Sequence, residues 1–219
     1  MLIPTLSEII KSCRKSNFIG RSREYGSHLG GTLPEALQQF KHSLRWPIDL
    51  DTPNIHLAGY FNEPDYNDPD KNSRHRGLDL QVAAGTKVVS PIRGKAVFHQ
   101  TDPRTADLMN VGVYSEKLGL LCILAHLDTS GILLPESYPV LRWENQDQVY
   151  RDMVVGRVAP WISRLPEQIA VPKDVRKVYG RTYNHLHLEC YYIPNKPRTV
   201  NEYYQKRAPL NPLLLLRKL

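Results

Sequence analysis

Near the start of the chain the apolar positions follow a helical spacing, and from about residue 55 they switch to an alternating one. Leu6, Ile9 and Ile10 stand at i, i+3 and i+4, which predicts a short amphipathic helix. Residues 21–31 are polar and glycine-rich and read as a loop. A second helix is predicted from Thr32. Thr32 and Glu35 fit a capping box, Pro34 suits a first turn, and Leu33, Ala36, Leu37, Phe40 and Leu44 make one apolar stripe. Residues 1–50 are therefore expected to form an N-terminal helical extension, as packing helices, a docking segment or a prosegment.

Beyond it the pattern is that of short strands. Residues 55–61, 78–82, 87–90 and 94–100 are apolar runs, separated by an acidic Asn- and Pro-rich loop over 61–73 and by Gly85, Pro91 and Gly94. Residues 111–115 and 120–126 predict a hairpin around Lys117-Leu118-Gly119, and 152–158 and 185–193 two more strands. Residues 128–184 contain two Pro-bearing, weakly periodic stretches and read as a long insertion, and 211–216 as a closing strand. Many short strands with close turns predict a mainly β fold, an antiparallel sheet or small barrel over residues 51–219, rather than a βαβ array.

Composition narrows the function classes. With 41% hydrophobic and 23% charged residues the chain is globular rather than disordered. The net charge of +7 is spread among acids with no basic block, so no dedicated nucleic-acid surface is expected. Cys13, Cys122 and Cys190 are odd in number and widely spaced, which predicts neither a disulfide framework nor a CxxC zinc site. The opening residues do not make a signal peptide, and the longest apolar run, 213–216, is too short to span a bilayer. The chain is thus expected to be soluble, with export needing another route.

Four of the eight histidines fall in informative settings. His75-Arg76-Gly77-Leu78-Asp79 is an HxxxD pair. In a regular strand its ends would lie about 13 Å apart, so they can share one ion only if the chain bends, which Gly77 permits. His185-Leu186-His187-Leu188-Glu189 alternates strictly, so both imidazoles and the carboxylate share one strand face while the leucines enter the core. His126 ends the apolar strand 120–124. Each element alone also fits a solvated face or a structural histidine. Together, His75, Asp79 and His187 would supply three protein ligands and leave a fourth position for water, the pattern of a catalytic zinc site. Zinc lowers the pKa of bound water toward about 7. His126 and His185 would then be neighbours able to accept the proton and stabilise an oxyanion.

This order of motifs resembles that of the lysostaphin-type (LytM-like) zinc metallopeptidases, the murein endopeptidases. His75-Arg76-Gly77-Leu78-Asp79-Leu80 is similar to the family's HxGxDh, and Ala84-Gly85-Thr86-Lys87-Val88 with Pro91-Ile92-Arg93-Gly94-Lys95-Ala96-Val97 to its GTPV…A…GxV. Leu124-Ala125-His126-Leu127 is similar to YxHL, His185-Leu186-His187-Leu188-Glu189 to HLHFE, and the segment after Asn211-Pro212 to the closing stretch. The likeness spans roughly residues 54–216. It implies a barrel-sandwich-like antiparallel sheet with a narrow groove and one Zn2+ per chain on the groove floor. It also implies His75, Asp79 and His187 as ligands, His126 and His185 as catalytic histidines, and Glu189 as a candidate supporting residue behind the ligands. The implied partners are stem or bridge peptides of peptidoglycan, and the implied location is the cell envelope or outside it.

The chain departs from the family where Tyr179-Gly180-Arg181-Thr182-Tyr183-Asn184 replaces a glycine-rich stretch before HLH, which predicts a different groove wall. Two other readings compete. A non-catalytic wall-binding or regulatory module of the same fold would typically lose ligands, whereas all five key positions are occupied. Residues 89–95 also resemble the turn of biotinyl and lipoyl carrier barrels, but no Met-Lys-Met occurs.

Overall fold

The computed structural model describes residues 35–53, 55–59, 61, 75–101, 108–130, 148–149, 153–158, 184–193 and 207–217. The helix expected around Leu6, most of the loop at 61–73 and most of the insertion at 128–184 lie outside the described residues, as do Thr32 and Pro34.

Among the described residues, ten strands form one sheet: β1 (His56–Gly59), β2 (Gly77–Gln81), β3 (Lys87–Val89), β4 (Gly94–Thr101), β5 (Met109–Ser115), β6 (Leu120–Asp128), β7 (Gln148–Val149), β8 (Val154–Val158), β9 (His185–Tyr192) and β10 (Ala208–Leu210). The main path runs β1-β2-β9-β6-β5-β4-β7, and β8 links β3 to β6. All these pairings are antiparallel, as the short-strand pattern predicts. β9 is central. β2 pairs with its first half and β10 with its second along one edge, while β6 pairs along the other. The β5–β6 hairpin turns where expected, with Gly119 at φ 61°, a left-handed conformation that glycine adopts without a Cβ penalty.

Alternation gives the sheet two different faces. Leu186, Leu188 and Cys190 of β9 join Leu78, Leu80, Leu120, Cys122 and Leu124 in the main core, nearly all of them closed to solvent. The opposite face carries His185, His187, Glu189 and Tyr191, and beyond them a second apolar cluster of Val97, Tyr114, Leu121, Ile123, Tyr191 and Ile193.

Two expectations change. The helical stripe was expected to reach Leu44, but the helix is a 3₁₀ segment ending at Phe40. His42 has φ 59°, which no helix continues, and the chain instead turns to pair with the C-terminal segment. Residues 211–216 were expected as a strand. They instead form a helix, α1 (Pro212–Leu215), because Asn211 caps it by accepting from the Leu213 N–H at 3.0 Å and proline fits the first turn. Only Leu216 bridges, in parallel, to Leu44. β7 and β10 had no counterpart in the sequence reading.

The N-terminal and C-terminal segments clamp one another. His42 N donates to Leu214 O at 3.1 Å, Leu44 N to Leu215 O at 2.8 Å, and Arg217 N to Leu44 O at 2.8 Å. The indole N–H of Trp46 donates to Arg217 O at 2.9 Å. Phe40, Leu44, Trp46 and Ile48 thereby belong to the same core as the sheet. No helix among the described residues is long and apolar enough to cross a membrane. Trp46→Phe removes the buried indole donor and is expected to cost about 1 kcal/mol or somewhat more, read as a lower urea midpoint with an unchanged slope.

Candidate metal centre

His75 lies in the two residues before β2, so the bend that the HxxxD pair needs is made outside the strand. Its Nε2 sits 3.2 Å from Asp79 Oδ1. Asp79 is directly opposite His187 in the β2–β9 register, and His187 Nδ1 lies 2.7 Å from the same Oδ1 and 3.1 Å from His75 Nε2. The three atoms thus make a triangle with edges of 2.7, 3.1 and 3.2 Å. Bonds of about 2.0–2.1 Å to a tetrahedral zinc set ligand atoms about 3.3 Å apart, so two imidazole nitrogens and a carboxylate oxygen at these spacings fit that ion. No other group of three metal-ligating side chains occurs among the described residues.

Gly77 has a different role from the one expected. Its φ is not in the left-handed region, so it supplies no special bend. It supplies room: a Cβ there would meet the His187 ring at 2.7 Å and Leu188 O at 2.6 Å. Gly59 does the same for the carboxylate. It pairs with Asp79 across β1–β2, and a Cβ would overlap Asp79 Oδ2 and stand 2.9 Å from Cγ. The sequence reading missed Gly59. The only local signal was a glycine inside an apolar run, which often marks a close approach.

His126 reaches the site through a bulge. Between β5 and β6, Met109 to Val111 faces Leu124 to Leu127, so β6 carries one extra residue. Leu124 and Leu127 both point into the main core, and the extra residue lets His126 turn to the opposite face. His126 takes φ 65°, a conformation uncommon outside glycine. Its ring then lies 4.6 Å from that of His185, edge to face, and 5.7 Å from that of His187. His185, paired with Gln81, has Nε2 at 3.8 Å from Asp79 Oδ1. All four histidines and Asp79 therefore share one corner of the sheet.

Glu189 accepts from His187 Nε2 at 3.2 Å, and the Tyr191 hydroxyl donates to its other oxygen at 2.7 Å. Burial would raise the Glu189 pKa, but the His187 and Tyr191 hydrogen bonds and the Arg76 charge outweigh it and hold the carboxyl at about 2. Burial would likewise raise that of Asp79. The charges of His75 and His185, with hydrogen bonds from His187 and His75, hold it well below the usual range. Burial alone would lower the His187 pKa, yet the Asp79 and Glu189 carboxylates push it up to about 10. Between two carboxylates the ring keeps a positive charge wherever no metal replaces its proton.

A scan against protein-family models finds no match, and no curated protein matches the chain. Solved structures with a similar fold include Helicobacter pylori Csd3, at 18% identity and TM-score 0.48 over 80% of this chain and 35% of that one. They also include a zinc containing peptidase from Vibrio cholerae, at 16% identity and TM-score 0.44 over 77% of this chain and 38% of that one. A third is the catalytic domain of the antimicrobial peptidase lysostaphin from Staphylococcus simulans, at 11% identity and TM-score 0.43 over 71% of this chain and 89% of that one. The chain matches about a third of the Csd3 length.

Gly59→Ala is expected to push the Asp79 carboxylate off its position and weaken zinc binding at least about tenfold, measured by competition with a chromophoric chelator. The metal-free protein is expected to lose stability as pH rises. The His187 pKa is raised from 6.5 to about 10 on folding, so its contribution is complete below about 6.5 and lost through 10. Denaturation of metal-free protein across that window should show the decline, and saturating zinc, which displaces the proton, should flatten it.

Proposed function

We propose that this chain is a zinc-dependent endopeptidase that hydrolyses short peptide crosslinks of peptidoglycan. His75, Asp79 and His187 hold one Zn2+ in this reading, with residues 51–219 as the metallopeptidase domain and 128–184 as its insertion. The observation that carries it is the triangle of two imidazole nitrogens and one carboxylate oxygen, contributed by chain segments more than a hundred residues apart. The motif order of the sequence points the same way.

Zinc supplies Lewis acidity and a water acidic enough to act near neutral pH. The chain supplies the rest. Three protein ligands would leave a zinc ion able to take a water, and the His126 ring lies against that of His185 and near that of His187. Imidazole suits proton transfer near neutral pH, so one ring takes a proton from the attacking water while the other stabilises the developing oxyanion. His185 Nε2 lies 3.8 Å from Asp79 Oδ1, so that ring stands directly beside the proposed ligand set. The apolar cluster of Leu121, Ile123 and Tyr114 continues from the polar corner on the same face and gives it a low-dielectric flank. Wall peptide as substrate places the protein at the cell envelope or outside the cell.

The test is mass spectrometry of muropeptides released from several wall types by the full chain, with and without a zinc chelator. Release that the chelator abolishes is the expected result. His126→Ala and His185→Ala should each keep about one zinc per chain and lose about 10²–10⁴ in turnover. His187→Ala should lose the zinc. A His187→Ala protein holding zinc with unchanged affinity would overturn the ligand set. Bound zinc without turnover of any wall type would favour a wall-binding module instead.

A further inference from the structure

The polar face of β9 does not end at the metal ligands. His185, His187, Glu189 and Tyr191 follow one another at alternate positions, and the last two have no place in the chemistry above. Glu189 touches His187 on the nitrogen that faces away from the triangle: Nε2 lies 3.2 Å from Glu189 Oε1, while Nδ1 lies 2.7 Å from Asp79 Oδ1. An imidazole that gives its Nε2–H to a carboxylate keeps that proton, so the nitrogen that can bare its lone pair is Nδ1, the one aimed at the ion. A carboxylate two residues further along a strand still has free torsions. The Tyr191 hydroxyl removes one of them by donating to Oε2 at 2.7 Å. Tyr191 itself is fixed. It is 1% exposed among Val97, Leu121, Ile123 and Ile193, and the guanidinium of Arg207, just before β10, lies 4.8 Å from its ring centre.

We propose that Glu189 and Tyr191 form a positioning pair for the metal. Tyr191 orients the Glu189 carboxylate, and the carboxylate sets the ring of His187 with Nδ1 toward the ion. The inference rests on the zinc reading of the site but not on any hydrolytic activity. Charge supports it as well. A divalent ion brings two positive charges into a region with little access to water, and buried Asp79 and half-buried Glu189 are the carboxylates that contact His187. Without Glu189 one negative charge fewer would stand beside the ion, in a setting where charge is poorly screened.

A double-mutant cycle on zinc affinity tests it, with zinc itself as probe, a competing chelator as reporter, and thermal unfolding of each metal-free protein alongside. Glu189→Gln should weaken zinc binding about 10–100-fold, and Tyr191→Phe by a smaller factor in the same direction. The double variant should bind no worse than Glu189→Gln alone, because the phenol acts through the carboxylate. Tyr191→Phe keeps the ring in its apolar pocket, so its own loss of zinc affinity at unchanged metal-free stability still tests the pair if Glu189→Gln folds poorly. The imidazole Nε2–H resonance of His187 in the zinc-loaded protein should be protected from exchange in the wild type and lose that protection in Glu189→Gln.

Losses that multiply in the double variant would overturn the pairing. So would reduced metal-free stability with zinc affinity unchanged, since that is the signature of a packing role alone. Zinc binding that behaves as expected in a protein without turnover leaves this inference standing and removes only the hydrolytic reading. A wild-type chain that takes no zinc ends both.

Discussion

A carboxylate oxygen of Asp79 lies against imidazole nitrogens from two other points of the chain, in a place largely closed to water. Three electron-pair donors so close together repel unless positive charge stands among them, and in a low-dielectric setting that repulsion is poorly screened. Protons can meet the demand, as the raised pKa of His187 and the depressed one of Asp79 record. A divalent cation meets it more completely, because it satisfies all three donors at once. The shared Oδ1 is the hinge of the arrangement. Both imidazoles converge on it, and His185 approaches it from the next pair along the sheet.

That convergence is held by backbone rather than by flexible side chains. Asp79 and His187 are opposite residues in adjacent strands, so their approach is set by sheet register. Register in turn is locked by the other face, where Leu78, Leu80, Leu186 and Leu188 are fully buried. A slip of one residue would expose all four and scatter the ligands together. The glycines at 59 and 77 complete the arrangement by subtraction, leaving the carboxylate and the His187 ring the volume that a methyl group would take. Side chains that are short, buried and enclosed on several sides lose little entropy when an ion arrives, which is the physical meaning of preorganisation here.

The same sheet joins the site to elements far from it. β9 carries the polar ladder on one face and core leucines on the other, and its second half is covered by β10, whose preceding residue Arg207 rests on Tyr191. The clamp between residues 42–46 and 214–217 closes the main core from the end of the chain. The metal corner thus depends on packing contributed by both ends of the described structure.

Local periodicity made much of this legible. The alternation at 185–189 placed two histidines and a glutamate on one face, and the runs at 78–82, 94–100 and 120–126 marked strands of the sheet within a few residues. Asn211-Pro212 held a legible capping signal that the leucine run obscured, and the stripe to Leu44 looked helical because an apolar residue at helical spacing can be buried equally well by a partner segment. Other features had no local trace. His126 faces the site only because β6 holds one more residue than its partner, and a bulge is a property of two strands together. Gly59 and Tyr191 matter because of what register sets opposite or beside them. The sequence by itself determined which side chains could share a strand face, since that follows from a two-residue repeat. Which of those faces met, in what register, and where the repeat was broken was decided by tertiary structure, because hydrogen-bond pairing between distant segments answers to the burial of the whole sheet rather than to neighbours in the chain.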